Sequence, residues 1–248
     1  MCIRDRRLAT AIRLGVYPYG STLPPERELA ARMGVSRATL REAIAALRTA
    51  NLVRTTRGRG GGTVVDLSPA TPGAGGAASL TAARRAELMD SLIFRRIVEP
   101  GACYLAATRQ LTEDQRSLLT EAHTEVRHAG SPAEHRQADS RLHLAIASLT
   151  GSAQLVDAVT GVQADLHDML IAIPVLGVNI EHSNRQHAEI VDAILDGNAR
   201  RARRVMESHC DDTAALLRGL LDERRIDGYD RAAQRTASER PRPAPPDQ

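Results

Sequence analysis

The sequence predicts a mainly α protein in two domains, a small N-terminal unit with a short β-hairpin followed by a larger all-α helical bundle. Three observations lead there. The chain has 248 residues, more than the usual single domain of about 100 to 200. Aromatic residues make up 2% and tryptophan is absent, so the cores must be built from Leu, Ile, Val and Ala, a composition that favours packed helices. Apolar side chains recur at helical spacing in six segments, near 82–108, 112–129, 132–149, 152–172, 181–197 and 199–221, without strand-like alternation.

The separators Gly130-Ser131-Pro132, Thr150-Gly151-Ser152 and Asp196-Gly197-Asn198 are short, so successive helices should pack as antiparallel neighbours. Ahead of the bundle, Pro69, Pro72, Gly73, Gly75 and Gly76 mark a linker over residues 67–80, where such residues disfavour regular structure. The expected layout is therefore a head at 1–66, the linker, a helical body at 81–222 and a disordered tail at 223–248, where Pro241, Pro243, Pro245 and Pro246 accumulate.

The head can be read element by element. The run Leu23 to Ala30 starts a helix with prolines in its first turn and acids Glu26 and Glu28 where the helix dipole favours them. Gly34 ends it, and Ser36 caps a second helix through Ala50. Leu40, Ile44 and Leu47 then face inward while Arg37, Thr39 and Arg41 stay free. Two short helices around a glycine turn suit insertion into a DNA major groove. Leu52 to Thr56 and Thr63 to Val65 read as two strands joined by Arg57-Gly58-Arg59-Gly60-Gly61-Gly62, a wing whose glycines allow close backbone approach while its arginines supply charge. The head is thus a winged helix-turn-helix.

Charge agrees with that assignment. All 33 basic residues are arginine, and residues 1–66 hold twelve of them against five acids, a net of +7, while the remainder carries −4. A basic head on a mildly acidic body fits one domain meeting a polyanion, with nucleic acid the natural choice. Three cysteines, Cys2, Cys103 and Cys210, without C-x-x-C spacing exclude a disulfide framework and a zinc ribbon. The most apolar run, Met169 to Val178, is interrupted by Pro174 and Gly177 and falls short of the roughly 18 residues of a membrane span. Met1 to Arg13 has charges where a signal peptide would be apolar, so a cytoplasmic location is expected.

In the body, Asp139 and His143 stand at i and i+4 and share one helix face. His187 and His209 lie on two later helices expected to fold back on the first. A single histidine is more often a core or surface polar group than a ligand, and five others occur in the chain. Three imidazoles and one carboxylate together could converge on a divalent cation with positions left for a further ligand.

These motifs carry a family resemblance. Leu23-Pro24-Pro25-Glu26-Arg27-Glu28-Leu29-Ala30, Gly34-Val35-Ser36-Arg37, Leu40-Arg41-Glu42-Ala43 and Gly58-Arg59-Gly60 resemble the GntR family of winged-helix regulators. Phe94 to Pro100, Asp139 to His143, His187 with Ala193-Ile194, and Met206 to His209 resemble the FadR-like, or FCD, subgroup, over nearly all of residues 85–220. The resemblance implies an FCD-type helical body, and DNA contacts from Arg27, Arg37 and Arg41, with Ser36 and Thr39 assisting and Arg57, Gly58 and Arg59 at the wing. It implies that Asp139, His143, His187 and His209 bind a divalent metal ion, zinc ahead of nickel or manganese, and that a small carboxylate or sugar-acid effector joins it.

Arg95 matches a cavity arginine suited to that carboxylate, and an i,i+4 salt bridge with Glu99 is an equal alternative. Two departures from the family stand out. Leu142 occupies a position where many relatives carry Phe, and the segment before Gly15 is shorter than the family's usual first helix, which implies a truncated N-terminus.

The function expected is that of a sequence-specific DNA-binding regulator, a repressor acting as a homodimer on operator DNA and released by an organic acid. The competing reading is a metal-dependent hydrolase with an accessory DNA-binding head, since a cation with open positions can activate water. The absence of a clear additional base beside the cluster argues against it, and so does the basic head.

Overall fold

The computed structural model describes residues 3–56, 62–68, 81–172 and 177–238. The head opens with α1 (Ile3–Arg13), followed by α2 (Glu26–Met33), α3 (Arg37–Thr49), β1 (Val53–Thr56) and β2 (Gly62–Val65). Pro25 sits at the N-cap of α2, and Glu26 and Glu28 occupy its first turn. The helix stops at Gly34, whose left-handed φ of 63° costs glycine little and most residues a steric clash. Two residues on, the Ser36 hydroxyl accepts from the Thr39 amide at 3.0 Å and starts α3. Leu8, Ile12, Leu29, Leu40 and Leu47 fuse the three helices into one core with Val53 and Val65 of the hairpin.

The hairpin is antiparallel, with Val53 opposite Val65 and Thr56 opposite Gly62. The segment from Ser21 to Leu23 runs along its edge, with an isolated bridge between Thr22 and Val64. In that pairing the Leu23 amide donates to the Thr63 carbonyl at 2.8 Å. The two strands are those the sequence predicts at 52–56 and 63–65. The wing tip with Arg57, Gly58 and Arg59 lies outside the described residues, as do most of the linker and Pro174.

The body contains α4 (Ala82–Ala107), α5 (Glu113–Arg127), α6 (Pro132–Leu149), α7 (Ala153–Ala172), α8 (Gly177–Leu195) and α9 (Ala199–Ser238). Hydroxyl caps set three of the starts: Thr81 for α4, Thr112 with Gln115 in a reciprocal capping box for α5, and Ser131 for α6. The main core joins Cys103, Leu119, Leu142, Ile146, Ile190, Ile194 and Met206. A smaller cluster of Leu88, Leu92, Leu166, Met169 and Leu217 closes the other end. Cys103 and Cys210 are buried free thiols. No described helix is long and apolar enough to cross a membrane.

Two boundaries differ from the sequence reading. Helix α8 is described from Gly177 rather than from near residue 181, and Val178 in that first turn is exposed, so no amphipathic period announces it. Helix α9 runs to Ser238, through the stretch expected to be irregular from residue 223. The segment Glu223 to Ser238 contains no proline and is rich in Arg and Ala, both good helix formers.

The head docks on the body along α6 and α7. Arg7 pairs with Asp157 at 2.8 Å, and Arg13 pairs with Asp168. From α6, Gln137 Nε2 donates to the Arg13 carbonyl at 3.2 Å and Arg141 Nη1 to the Gly15 carbonyl at 3.3 Å. Gly15 has φ +71°, and a Cβ there would come within 2.9 Å of both Gln137 and Arg141. Only glycine therefore gives this turn its conformation and its clearance.

Candidate functional site

Helix α6 carries Asp139 and His143 one turn apart, while α8 and α9 bring His187 and His209 against them. All four side chains are buried. The imidazole centroids are 5.5, 5.3 and 4.7 Å apart. One nitrogen of each ring can be chosen so that all three lie within 4.8 Å of one another. Asp139 Oδ1 is 3.4 Å from His187 Nε2, and its Oδ2 is 4.0 Å from His143 Nε2.

Electrostatics keeps Asp139, His187 and His209 in ligand form. Burial pushes His187 down to about 3 even though Asp139 pulls the other way. Burial, then the neighbouring His187 and Arg95, holds His209 well below the imidazole range. Burial alone would raise Asp139, but His187 and His143 keep its carboxyl below the ordinary value. Neutral imidazoles and an ionised carboxylate are the forms that coordinate a metal. Both ring nitrogens of His187 are buried and make no hydrogen bond, a costly state that a cation on one of them would partly relieve. Three imidazoles and one carboxylate fit a divalent transition-metal cation, zinc or nickel through the imidazoles, with manganese also served by the carboxylate.

Two of the rings are backed from behind. Gln186 donates through Nε2 to Asp212 at 2.7 Å, so its Oε1 faces His209 Nδ1 at 3.1 Å and must accept from it. His143 Nδ1 lies 3.0 Å from Glu99 Oε2, at hydrogen-bond distance though out of line.

Beside the cluster is a cavity of about 490 Å³, whose lining includes Arg95, Arg136, Asp139, His209, Asn179 and Ser183. Arg95 is 1% exposed and meets Glu99 through Nε at 2.9 Å, while its Nη1 and Nη2 make no hydrogen bond. The salt bridge and a place in the cavity lining, alternatives in the sequence, are therefore compatible: one edge of the guanidinium is spent on Glu99, and the other keeps two unpaired donors.

In the head, Arg27, Ser36, Arg37 and Arg41 are exposed and Thr39 is half-buried. Thr39 Oγ1 and Ser36 Oγ are 2.8 Å apart at the start of α3. Arg41 does not stand free: its Nε donates to Glu26 Oε2 at 2.8 Å. From the sequence, Glu26 is assigned only to the dipole of its own helix, and neither its pairing with Arg41 nor the backing role of Gln186 is foreseen. No signal in the chain could have shown them, since each contact joins residues distant in sequence.

Comparison with known proteins places these features together. Residues 5–65 match the model of the bacterial regulatory proteins, gntR family, and residues 90–212 match the FCD domain. A regulator named for the L-lactate dehydrogenase operon of Escherichia coli (strain K12) is 30% identical over 202 residues, covering 77% of this chain and 75% of that one. The Glc operon transcriptional activator of Escherichia coli (strain K12) is 29% identical, covering 79% and 80%. In fold, the chain is similar to E. coli McbR/YncC, with TM-score 0.53 and 16% identity over 87% of this chain and 95% of that one. These relatives are regulators of transcription rather than enzymes. The chain belongs to the GntR family, in the group that joins its helix-turn-helix to an FCD domain, and is a transcriptional regulator.

Proposed function

We propose that the protein is a repressor that binds operator DNA as a homodimer and leaves it when a small organic acid binds beside a divalent metal ion in the body. The observation that carries this reading is the buried set Asp139, His143, His187 and His209, opening onto a cavity where Arg95 keeps two unpaired donors. When bound, the cation supplies a positive centre for a carboxylate. Arg95 offers its two Nη donors to the same anion, a planar fork matched to carboxylate geometry. Leu166, Leu170 and Ile180 close the cavity on its apolar side and favour a compact acid. The names of two relatives refer to the L-lactate dehydrogenase operon and to the Glc operon, and lactate is a small carboxylate.

In the head, Arg37 and Arg41 would read bases from the start of the recognition helix, with Arg27 and the wing arginines Arg57 and Arg59 on phosphates. Two heads are needed to span successive grooves of a near-palindromic site. Helix α4 offers a surface for pairing two bodies. Ile93, Ile97 and Tyr104 fall along one side of it, with Phe94 alongside, and each is more than two-fifths exposed. Such a stripe is self-complementary across a two-fold axis. The acid and the operator would each favour one arrangement of heads on bodies, so their affinities oppose each other.

Native mass spectrometry of the full chain tests the proposal directly. The expected spectrum is a dimer carrying one divalent metal per chain with a small acid retained, and adding that acid should release a duplex spanning the promoter of its own gene. A monomer without metal, or a duplex held equally with and without the acid, would overturn it.

A further inference from the structure

Behind the proposed ligand His143 lies a carboxylate that coordinates nothing itself. Glu99 on α4 is 2% exposed, and four groups from four helices address it. Arg95 Nε donates to Oε2 at 2.9 Å, and Gln163 Nε2 from α7 donates to Oε1 at 2.6 Å. His143 Nδ1 from α6 stands 3.0 Å from Oε2, and the Cys210 thiol from α9 donates to the same oxygen at 3.8 Å. Its two oxygens already accept from groups that can only donate, the Arg95 guanidinium on Oε2 and the Gln163 amide on Oε1, and the buried ion pair with Arg95 sets its charge. An ionised carboxylate only accepts hydrogen bonds. The nitrogen of His143 that faces it must therefore carry the proton, and Nε2, on the side of Asp139, must carry the lone pair.

We propose that Glu99 is a positioning residue for both halves of the effector site: it fixes His143 in the Nδ1–H tautomer so that Nε2 faces the cation, and it holds Arg95 by Nε so that Nη1 and Nη2 face the cavity. The proposal rests on reading Asp139, His143, His187 and His209 as metal ligands. Carboxylates behind metal-binding imidazoles orient the ring and raise its basicity, and their loss typically costs about 10- to 100-fold in metal affinity. What is particular here is that one carboxylate serves the metal ligand and the anion receptor together. A change at Glu99 should therefore disturb cation binding and acid binding at once, although Glu99 touches neither.

Long-range 15N–1H correlation spectra of the metal-free full-length protein, labelled at histidine, read the tautomer without any substitution. The expected result is His143 protonated at Nδ1. Zinc titration then compares wild type with Glu99→Gln, and with Arg95→Gln/Glu99→Gln, which removes both charges and leaves no uncompensated buried cation. Zinc affinity should fall about 10- to 100-fold in each folded variant, with His143 becoming a mixture of tautomers. A wild-type His143 protonated at Nε2, in a protein that still takes zinc, overturns the role of Glu99 alone. So does a folded double variant that keeps both the tautomer and the zinc affinity of the wild type. A wild-type protein that takes no zinc overturns the metal reading of the site, and this proposal with it.

Discussion

At the scale of single residues, burial sets the chemistry of the histidines, and one of them reports on stability alone. His167 on α7 is 7% exposed. Burial, then the guanidinium groups of Arg13 and Arg136, lowers it to about 4, against about 6.5 in the unfolded chain. Above about pH 6.5 both states are neutral and the group contributes nothing. As pH falls from about 6.5 to about 4 the unfolded state takes up a proton that the folded state refuses, so stability declines, by up to about 3 kcal/mol, and then levels off. Urea unfolding across that range should show a shallower loss for His167→Gln than for wild type, with parallel profiles as the contrary result.

Among single residues, the sequence was informative where chemistry is local. Ser36 as a cap, Gly34 as a left-handed stop and the i,i+4 pair Asp139 and His143 all follow from neighbours within one turn. Glu99 shows the limit. Its spacing to Arg95 suggested a salt bridge, but its contacts with His143 and Gln163 come from helices 44 and 64 positions further along. The pairing of Arg41 with Glu26 joins two helices in the same way.

At the scale of elements, helix α6 has two working faces. Asp139 and His143 look into the ligand cluster, while Gln137 and Arg141, also one turn apart, grip the Arg13 and Gly15 carbonyls at the end of α1. An offset of two residues turns a helix by about 200°, so the two pairs point to opposite sides. A shift of α6 on ligand binding would reach the head through these two hydrogen bonds. Gln137→Ala/Arg141→Ala should leave zinc affinity unchanged, yet abolish the change in amide hydrogen exchange over residues 3–15 that zinc causes in wild type. An identical exchange response in the variant would exclude α6 as the route. Helix extents were largely legible because caps and glycines mark them, but which face of α6 meets the head depends on how the helices assemble, and no local pattern carries that.

At the scale of the whole molecule, charge separates the tasks. The head carries +7 and the remainder −4, and acids of the body, Asp157 and Asp168, hold arginines of the head, Arg7 and Arg13. The body thus docks the head through α1, leaving Arg27, Arg37 and Arg41 exposed. Mass composition and helical periodicity were enough to foresee two domains and a bundle. Docking was not foreseeable, because it depends on exposed ion pairs and one glycine turn rather than on an apolar pattern.

The central claim is that α3 presents its arginines to a DNA groove, and the most direct measurement is fluorescence anisotropy of a duplex spanning the promoter of its own gene. Arg37→Ala/Arg41→Ala, shown by circular dichroism to be folded, should bind that duplex at least about 30-fold more weakly than wild type, from about 1 kcal/mol or more per lost base contact. Undiminished binding by the folded variant would contradict the account.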